Sequence, residues 1–299
     1  MDRHRWREPR ASLGALSSFF ALTFALTWTS WIAAALLVRE RASTDVLQSP
    51  ITAVLLVLGI GAPAIVALGM TARSGGRAAV GTLVRPLVEW RIATRWYVFA
   101  VGYIVVVKLT AAVAHRLVEG VWPSFGAQAW YVLLAASVFS TLVGGQVGEE
   151  LGWRGYALPR MEALVGLGPA SAVLGVVWAA WHLPLFYMPG ADTYGQSFPL
   201  YVTQVTGLSV AVAWLYGHTR GSLLLVMLMH ASLNNLTGIV PGVARAATNP
   251  FVPDAPMLGW LTAAAIWTAA VYFLAHMPSR GEPIAVGKSS HGTATVTHP

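Results

Sequence analysis

Eight long apolar runs limit what this chain can fold into. Each run holds 17 to 26 residues, and the only Lys, Arg, Asp or Glu within them is Lys108. A helix needs about 20 residues to cross the roughly 30 Å core of a bilayer, and in such a pattern only helices satisfy every backbone group inside lipid. We therefore expect an all-α fold, a multi-pass transmembrane helical bundle of about eight spans. The predicted spans are residues 13–38, 51–72, 96–114, 130–147, 170–186, 200–216, 222–240 and 258–275.

The composition agrees with a membrane protein whose main partner is the lipid bilayer. Hydrophobic residues make up 56% of the chain and charged residues only 10%, against roughly 25% charged in a soluble domain. The net charge of +7 does not indicate nucleic-acid binding, because the basic residues lie in loops and not on a reading module. The chain has no cysteine, which excludes disulfides and a thiol nucleophile. Its abundance of Ala, Val, Arg and Gly favours a bacterial source of high GC content.

The basic residues of the loops predict an orientation in the cell membrane. With the N-terminus inside, 14 Lys and Arg residues fall in cytosolic segments and 4 in outer loops, as the positive-inside rule expects. Both termini are then cytosolic. The predicted organisation is a basic cytosolic N-terminus (1–12), three transmembrane helices (13–128), a core of four helices (129–240), a final span (241–278) and a disordered cytosolic tail (279–299).

Two adjacent acids end the fourth apolar run, in the segment GEELGWRGYALPR at residues 148–160. Charges in a bilayer cost about 2.5–3.5 kcal/mol each on insertion scales, so Glu149 and Glu150 predict a functional site. Glu150 and Arg154 are spaced i and i+4, which allows an ion pair if the helix continues through Gly152. Glu149 points about 100° away around the helix and is left as the reactive carboxylate.

Two further pairs of polar residues lie in predicted spans at helical spacing. Trp178 and His182 are i and i+4, which puts an indole under the imidazole, and His230 and Asn234 share one face in the same way. We expect Glu149 to act as a general base on water, with His182 sharing or relaying the proton. His230 and Asn234 carry donors suited to a developing oxyanion, which indicates amide or ester hydrolysis. In this interpretation Glu150, Arg154 and Trp178 support the site.

A metal centre is the competing interpretation of the same residues. Glu149, His182 and His230 could bind a divalent ion such as zinc, which would lower the pKa of its water. The metalloprotease signature HExxH is absent, and spacing alone leaves both water-activation schemes open. Two rival functions also remain: a non-catalytic immunity or regulatory protein on the same scaffold, and a proton-coupled transporter. An intact set of four polar residues argues against the first, and the absence of paired repeats argues against the second.

The three motifs together resemble the CPBP family, the intramembrane proteases related to the CAAX prenyl endopeptidase and also called Abi proteins. Glu149, Glu150 and Arg154 resemble its EExxxR motif, Trp178 and His182 its aromatic-xxxH motif, and His230 and Asn234 its HxxxN motif. Many members have Phe where this chain has Trp178. The resemblance implies eight helices around a membrane cavity open to the cytosol. It also implies Glu149 and His182 as water activators, His230 and Asn234 as the oxyanion site, and a membrane-associated peptide or protein as substrate. It implies the processing of prenylated peptides only by kinship, and it leaves metal dependence open.

The predicted boundaries leave one geometric problem. Glu149 lies near the cytosolic end of its span, whereas His182 lies about 12 residues, or roughly 18 Å, into its own. For the two side chains to meet, the fourth helix must run deeper than predicted, or residues 152–168 must dip into the membrane. Gly166, Gly168 and Pro169 permit such a path.

Overall fold

The computed structural model of the protein describes residues 12–40, 49–143, 145–241 and 249–278. In these ranges all regular structure is helical, which confirms the predicted all-α fold. The predicted cytosolic N-terminus (1–12) and disordered tail (279–299) lie outside the described residues, apart from Ser12. The α-helices are α1 (Leu13–Glu40), α2 (Pro50–Val84), α3 (Thr94–Glu119), α4 (Trp130–Val143), α5 (Gln146–Glu150), α6 (Leu158–Val165), α7 (Leu167–Trp181), α8 (Phe198–His218), α9 (Leu223–Leu236) and α10 (Met257–Ala275).

Shorter helical turns link several of these elements. A π-helix, Leu151–Ala157, joins α5 to α6 without a break. Single 3-10 turns follow α2 at Arg85–Val88, α7 at Leu183–Tyr187 and α9 at Thr237–Ile239. We refer to α5, the π-helix and α6 together as the central segment.

Among the described residues, six helices are long and apolar enough to span a membrane, and a seventh span results if the bent pair α4 and central segment counts as one. The chain is therefore a multi-pass membrane protein. The prediction of eight spans differs at residues 222–240, where α9 has only 14 residues. At 1.5 Å per residue α9 is about 21 Å long, too short to cross the hydrocarbon core alone. α9 begins where predicted, with Oγ of Ser222 accepting a hydrogen bond from the amide of Leu225, but it ends at Leu236, where the 3-10 turn Thr237–Ile239 follows.

The predicted end of the fourth span is wrong. The helix does not stop at the acids: it bends by 51° between Trp130–Thr141 and Gln146–Val165 and then continues. Glu149 and Glu150 consequently lie inside the bent pair and not at its end. The boundary was misplaced because a charge normally ends a span, whereas here the charge of Glu150 is paired inside the protein. The helical segment ends at Gly166, whose φ of 83° is a left-handed conformation that suits glycine.

The helices pack in two groups around the central segment. In one group α1 packs on α2, and α2 packs on α5 and the π-helix. In the other, α7 packs on α8, α8 on α10, α10 on α3, α3 on α9 and α9 on α4. The central segment contacts both groups, so its polar side chains are enclosed by helices from each.

Glycine lets α2 approach the central segment closely. A Cβ at Gly152 would lie 2.4 Å from Cβ of Pro63, and one at Gly148 would lie 3.0 Å from the carbonyl oxygen of Ile60. Both distances are shorter than side chains tolerate without displacement. Small residues commonly permit such backbone approach between membrane helices.

A proline in α2 ties α1, α2 and α7 together. Pro63 has no N–H, so the carbonyl of Gly59, four residues earlier, loses its partner within the helix. The hydroxyl of Thr27 on α1 donates to that carbonyl at 2.9 Å. The same hydroxyl oxygen accepts a hydrogen bond from the indole of Trp181 at 2.7 Å. A backbone group that would otherwise be unsatisfied in an apolar interior thus becomes the junction of three helices.

Two tryptophans of α1, Trp28 and Trp31, strengthen this junction. The Trp28 indole donates to the carbonyl of Trp181 at 3.1 Å, and the Trp31 indole donates to the carbonyl of Leu56 at 3.2 Å. The Trp31 ring also lies 4.6 Å from the ring of Trp181, centroid to centroid. The end of α7, where His182 follows, is therefore held by α1 through two hydrogen bonds and a ring contact.

We predict that Thr27→Val destabilises the protein by about 1–3 kcal/mol, because it leaves the Trp181 indole and the Gly59 carbonyl without their partner. Thr23→Val is the matched control: Thr23 lies one turn earlier on α1, is equally buried, and its hydroxyl has no hydrogen-bond partner within the ranges that the structure describes. Thermal unfolding in detergent checks both variants. Equal unfolding midpoints for the two would contradict the junction.

Candidate active site

The central segment carries the charged residues of the candidate site. Glu149 and Glu150 end α5, and Arg154 lies in the π-helix that follows. A π-helix has i to i+5 hydrogen bonds and is frequent at functional sites. Arg154 lies on the same side of this segment as Glu150, four residues earlier. Both side chains are fully buried, at 0% exposure, so their charges must be satisfied inside the protein.

Glu150 has two partners. Nη1 of Arg154 donates to both of its carboxylate oxygens, at 2.8 and 3.1 Å, which is the ion pair expected from the i and i+4 spacing. Nδ1 of His230 on α9 lies 2.7 Å from Oε1 of the same carboxylate. Nη2 of Arg154 also reaches Oγ of Ser209 at 3.5 Å. This network links the central segment to α8 and α9, and charge-assisted bonds of this kind are stronger than neutral ones.

Glu149 faces another side of the helix, as expected, and meets Trp178 on α7. The Trp178 indole donates to Oε2 of Glu149 at 2.8 Å. The guanidinium carbon of Arg154 lies 4.4 Å from the centre of the Trp178 ring, a cation–π contact. Oε1 of Glu149 accepts no hydrogen bond from any described residue.

His182 caps the C-terminal end of α7. Pro184 has no N–H to continue the helix, and the chain turns there into the 3-10 turn. Nδ1 of His182 lies 2.8 Å from the carbonyl oxygen of Trp178. A carbonyl only accepts, so Nδ1 carries the proton, and Nε2 of a neutral ring is left as an acceptor.

The two imidazoles approach Trp178 from different helices. Its ring centre lies 5.9 Å from that of His182 and 5.2 Å from that of His230, both in edge-to-face arrangements. Because the Glu150 carboxylate already accepts from Arg154, Nδ1 of His230 is a donor to it. In both histidines Nδ1 is thus occupied, and Nε2 has no hydrogen bond to a described residue.

Asn234 is the predicted site residue that the structure does not join to the others. It lies one turn beyond His230 on α9, its side chain is exposed, and no described residue hydrogen-bonds to that side chain. The neighbouring Asn235 instead donates to Ser140 on α4 at 3.1 Å and to the carbonyl of Ala231 at 2.8 Å. The structure therefore groups Glu149, Trp178, His182 and His230 closely and leaves Asn234 at the edge.

Sequence reasoning missed two contributors to this site. Tyr201 of α8 places its ring 5.6 Å from His182, edge to face, but its apolar surroundings give no signal of a functional role. The indole N–H of Trp178 was also missed, although a buried tryptophan N–H generally needs an acceptor. A tryptophan in an apolar helix has few acceptors nearby, so its need for one could have indicated a polar partner for Trp178.

The predicted metal ligands do not fit a metal centre. In the ranges that the structure describes, no three His, Cys, Asp or Glu side chains form a group that could hold an ion. Nδ1 of each histidine is engaged by oxygen, which orients Nε2 in the way metal-binding histidines are oriented. Orientation without a third ligand does not make a site, and we derive no step through a metal.

We predict that Arg154→Ala destabilises the protein by about 3–5 kcal/mol, because it leaves the buried Glu150 carboxylate without its main counter-charge. Glu89→Ala is the control: it breaks a solvent-exposed pair with Arg220, 3.8 Å long, and should cost about 0–1 kcal/mol. Unfolding of the detergent-solubilised variants measures both. Similar losses for the two variants would show that burial of the ion pair is unimportant.

Comparison with known proteins identifies the region that contains this site. Residues 126–236 match the family model described as type II CAAX prenyl endopeptidase Rce1-like. A curated relative, CAAX prenyl protease 2 of Methanococcus maripaludis, is 28% identical over 113 residues, which cover 35% of this chain and 37% of that protein. The chain thus matches little more than a third of the length of this relative. The matched residues contain all three motifs and support the family predicted from them: over residues 126–236 the chain is similar to the Rce1-like CAAX prenyl endopeptidases.

Proposed function

We propose that the chain is an intramembrane endopeptidase of the CAAX-protease type, which hydrolyses peptide bonds in membrane-associated peptides or proteins. One observation carries this proposal. Glu149 is held by the Trp178 indole through one carboxylate oxygen, while the other oxygen and Nε2 of two neighbouring imidazoles have no partner among the described residues. These are the atoms that a general-base hydrolysis requires.

In the proposed mechanism Glu149 activates water. Oε1 takes a proton from a water molecule, whose oxygen attacks the carbonyl carbon of the peptide bond. Nε2 of His182 accepts a hydrogen bond from the water's second hydrogen and so orients it. The carbonyl oxygen becomes an oxyanion. His230, protonated on both nitrogens beside the Glu150 carboxylate, stabilises it by donating from Nε2, and Asn234 by donating from its side-chain amide; one such donor is worth about 2.7–4 kcal/mol in comparable enzymes.

Collapse of this intermediate completes the reaction. The carbonyl reforms, the C–N bond breaks, and the leaving amine takes the proton that Glu149 had accepted. The direct products are a carboxylic acid, which keeps the water's second hydrogen, and an amine, and Glu149 is again ionised; transfer of that proton to the amine then gives the carboxylate and ammonium ions. Asn234 can take part only if substrate fills the space beside it, which agrees with its exposed side chain.

The pairing of Glu150 explains why the site needs two adjacent acids. Its charge is balanced by Arg154, and it orients His230 through Nδ1. Glu150 therefore has no oxygen to spare for water, whereas Glu149 has one. We propose that the first acid reacts and the second builds the site.

The orientation is also part of the proposal. Exposed arginines, among them Arg73, Arg77, Arg91 and Arg95, flank the C-terminal half of α2 and the start of α3. The positive-inside rule puts this side of the bundle in the cytosol. Substrate would then reach the site from the cytosolic leaflet, and both termini would be cytosolic.

We predict that Glu149→Ala lowers cleavage by at least about 100-fold without unfolding the protein, since it removes the proposed base while the ion pair of Glu150 remains. Glu119→Ala, an exposed acid at the end of α3, is the control. Mass spectrometry of membrane peptides from cells with each variant would identify substrates, and purified protein would give rates. Full turnover by the alanine variant on a confirmed substrate would eliminate Glu149 as the base.

We also predict that protein washed with chelator keeps its cleavage rate, because the predicted ligands Glu149, His182 and His230 do not form a group of three. Metal content and activity are measured on the same preparation before and after washing. One zinc per chain, with activity lost on its removal and restored on its return, would replace the proposed scheme with metal-activated water.

A further inference from the structure

Trp178 contacts four ionisable residues of the candidate site. Its indole N–H binds Glu149, its ring face lies under Arg154, its ring edge meets His230, and its carbonyl accepts from His182. The side chain is 5% exposed, so these contacts occur out of bulk water. Among the described residues no other side chain joins the proposed base to both histidines and the arginine.

The Trp178 indole N–H donates a hydrogen bond to Glu149, which a phenyl ring cannot do. A glutamate side chain has three rotatable bonds, and holding it in one conformation costs up to about 2 kcal/mol of entropy. A hydrogen bond of 2.8 Å to Oε2 fixes the carboxylate plane and assigns the two oxygens different tasks. Oε2 is occupied by protein, and Oε1 is the oxygen left for water.

Trp178 is itself held rigidly. Its ring contacts the Arg154 guanidinium at 4.4 Å and, edge to face, the His230 ring at 5.2 Å. Three residues later Trp181 anchors the end of α7 to α1 through the Thr27 hydroxyl. A donor mounted on such a support can define the position of Glu149, because its own rotamer is locked by packing.

We propose that Trp178 is the positioning residue of Glu149: its indole N–H holds one carboxylate oxygen and thereby directs the other toward the reacting water. This inference rests on the proposed function for its kinetic consequence, but the hydrogen bond can be tested without substrate. A phenylalanine at position 178 would keep an aromatic ring there. In this chain the larger residue adds an N–H that phenylalanine lacks.

The kinetic test compares Trp178→Phe with Trp214→Phe. The first keeps an aromatic ring near Arg154 and removes the N–H bonded to Glu149. The second removes a buried indole N–H that has no partner in the described parts of the chain. Because it lies in an aromatic cluster of α8, it controls for the loss of ring area. We expect Trp178→Phe to lower kcat roughly 10- to 100-fold with little change in KM, and Trp214→Phe to change neither. A misplaced base slows chemistry, whereas a disturbed fold would lower the yield of protein or raise KM.

A double-mutant cycle tests the hydrogen bond independently of activity. The unfolding midpoint is measured for wild type, Trp178→Phe, Glu149→Ala and the double variant. We expect the drop caused by Trp178→Phe to shrink or vanish when Glu149 is already alanine, because the acceptor is gone. If the chain cleaves no peptide at all, the proposed function fails, yet this cycle still decides whether the two residues are coupled.

Two results would overturn the inference: unchanged kcat in Trp178→Phe, or additive midpoints in the cycle. Should Trp178→Phe not fold, Trp178→His takes its place, because it keeps a ring with an N–H donor. A kcat for the histidine variant within about tenfold of wild type would support positioning by an N–H. A loss as large as that of Glu149→Ala, in a folded histidine variant, would count against it.

Discussion

The buried ion pair of Glu150 and Arg154 is the interaction on which the rest of the structure depends. Neither charge touches solvent, and each would cost several kcal/mol in this environment without the other. Their pairing lets the helix continue past two acids where a membrane span would ordinarily end. Because it continues, Glu149 lies within the bundle, next to side chains from α7 and α9. The site can form because the charge of Glu150 is balanced within the central segment by Arg154.

Each neighbour of this pair has a second task. His230 partly neutralises Glu150 and at the same time presents Nε2 to the proposed reaction. Arg154 balances Glu150 and also packs on the ring that binds Glu149. Charge balance and catalytic geometry are consequently coupled, and a change to one alters the other. Such coupling is expected for polar networks in a medium of low dielectric constant, where unsatisfied groups are costly.

The sequence was most informative where the physics is local. Apolar runs located the helices, and the i and i+4 spacing predicted that Glu150 pairs with Arg154. It was least informative where partners are distant along the chain: Trp178 and Glu149 are 29 residues apart, and Thr27 and Trp181 are 154 apart. The predicted end of the fourth span was wrong because the presence of a charge in the sequence does not reveal whether that charge is paired in the folded protein. The seventh boundary failed because apolar length does not reveal that α9 ends at Leu236 and continues as a 3-10 turn.

The carbonyl released by Pro63 has a consequence for how such chains diverge. The family match covers residues 126–236, yet the end of α7 inside it is fastened by α1 and α2 outside it. If position 63 held a residue with an amide hydrogen, the carbonyl of Gly59 could accept a hydrogen bond within its own helix. The Thr27 hydroxyl would then lose this acceptor and keep only its bond from the Trp181 indole. We therefore expect positions 27, 63 and 181 to vary together between homologues. A chimera that carries only the matched segment would keep His182 but lose the contacts with α1 and α2 that hold the end of α7.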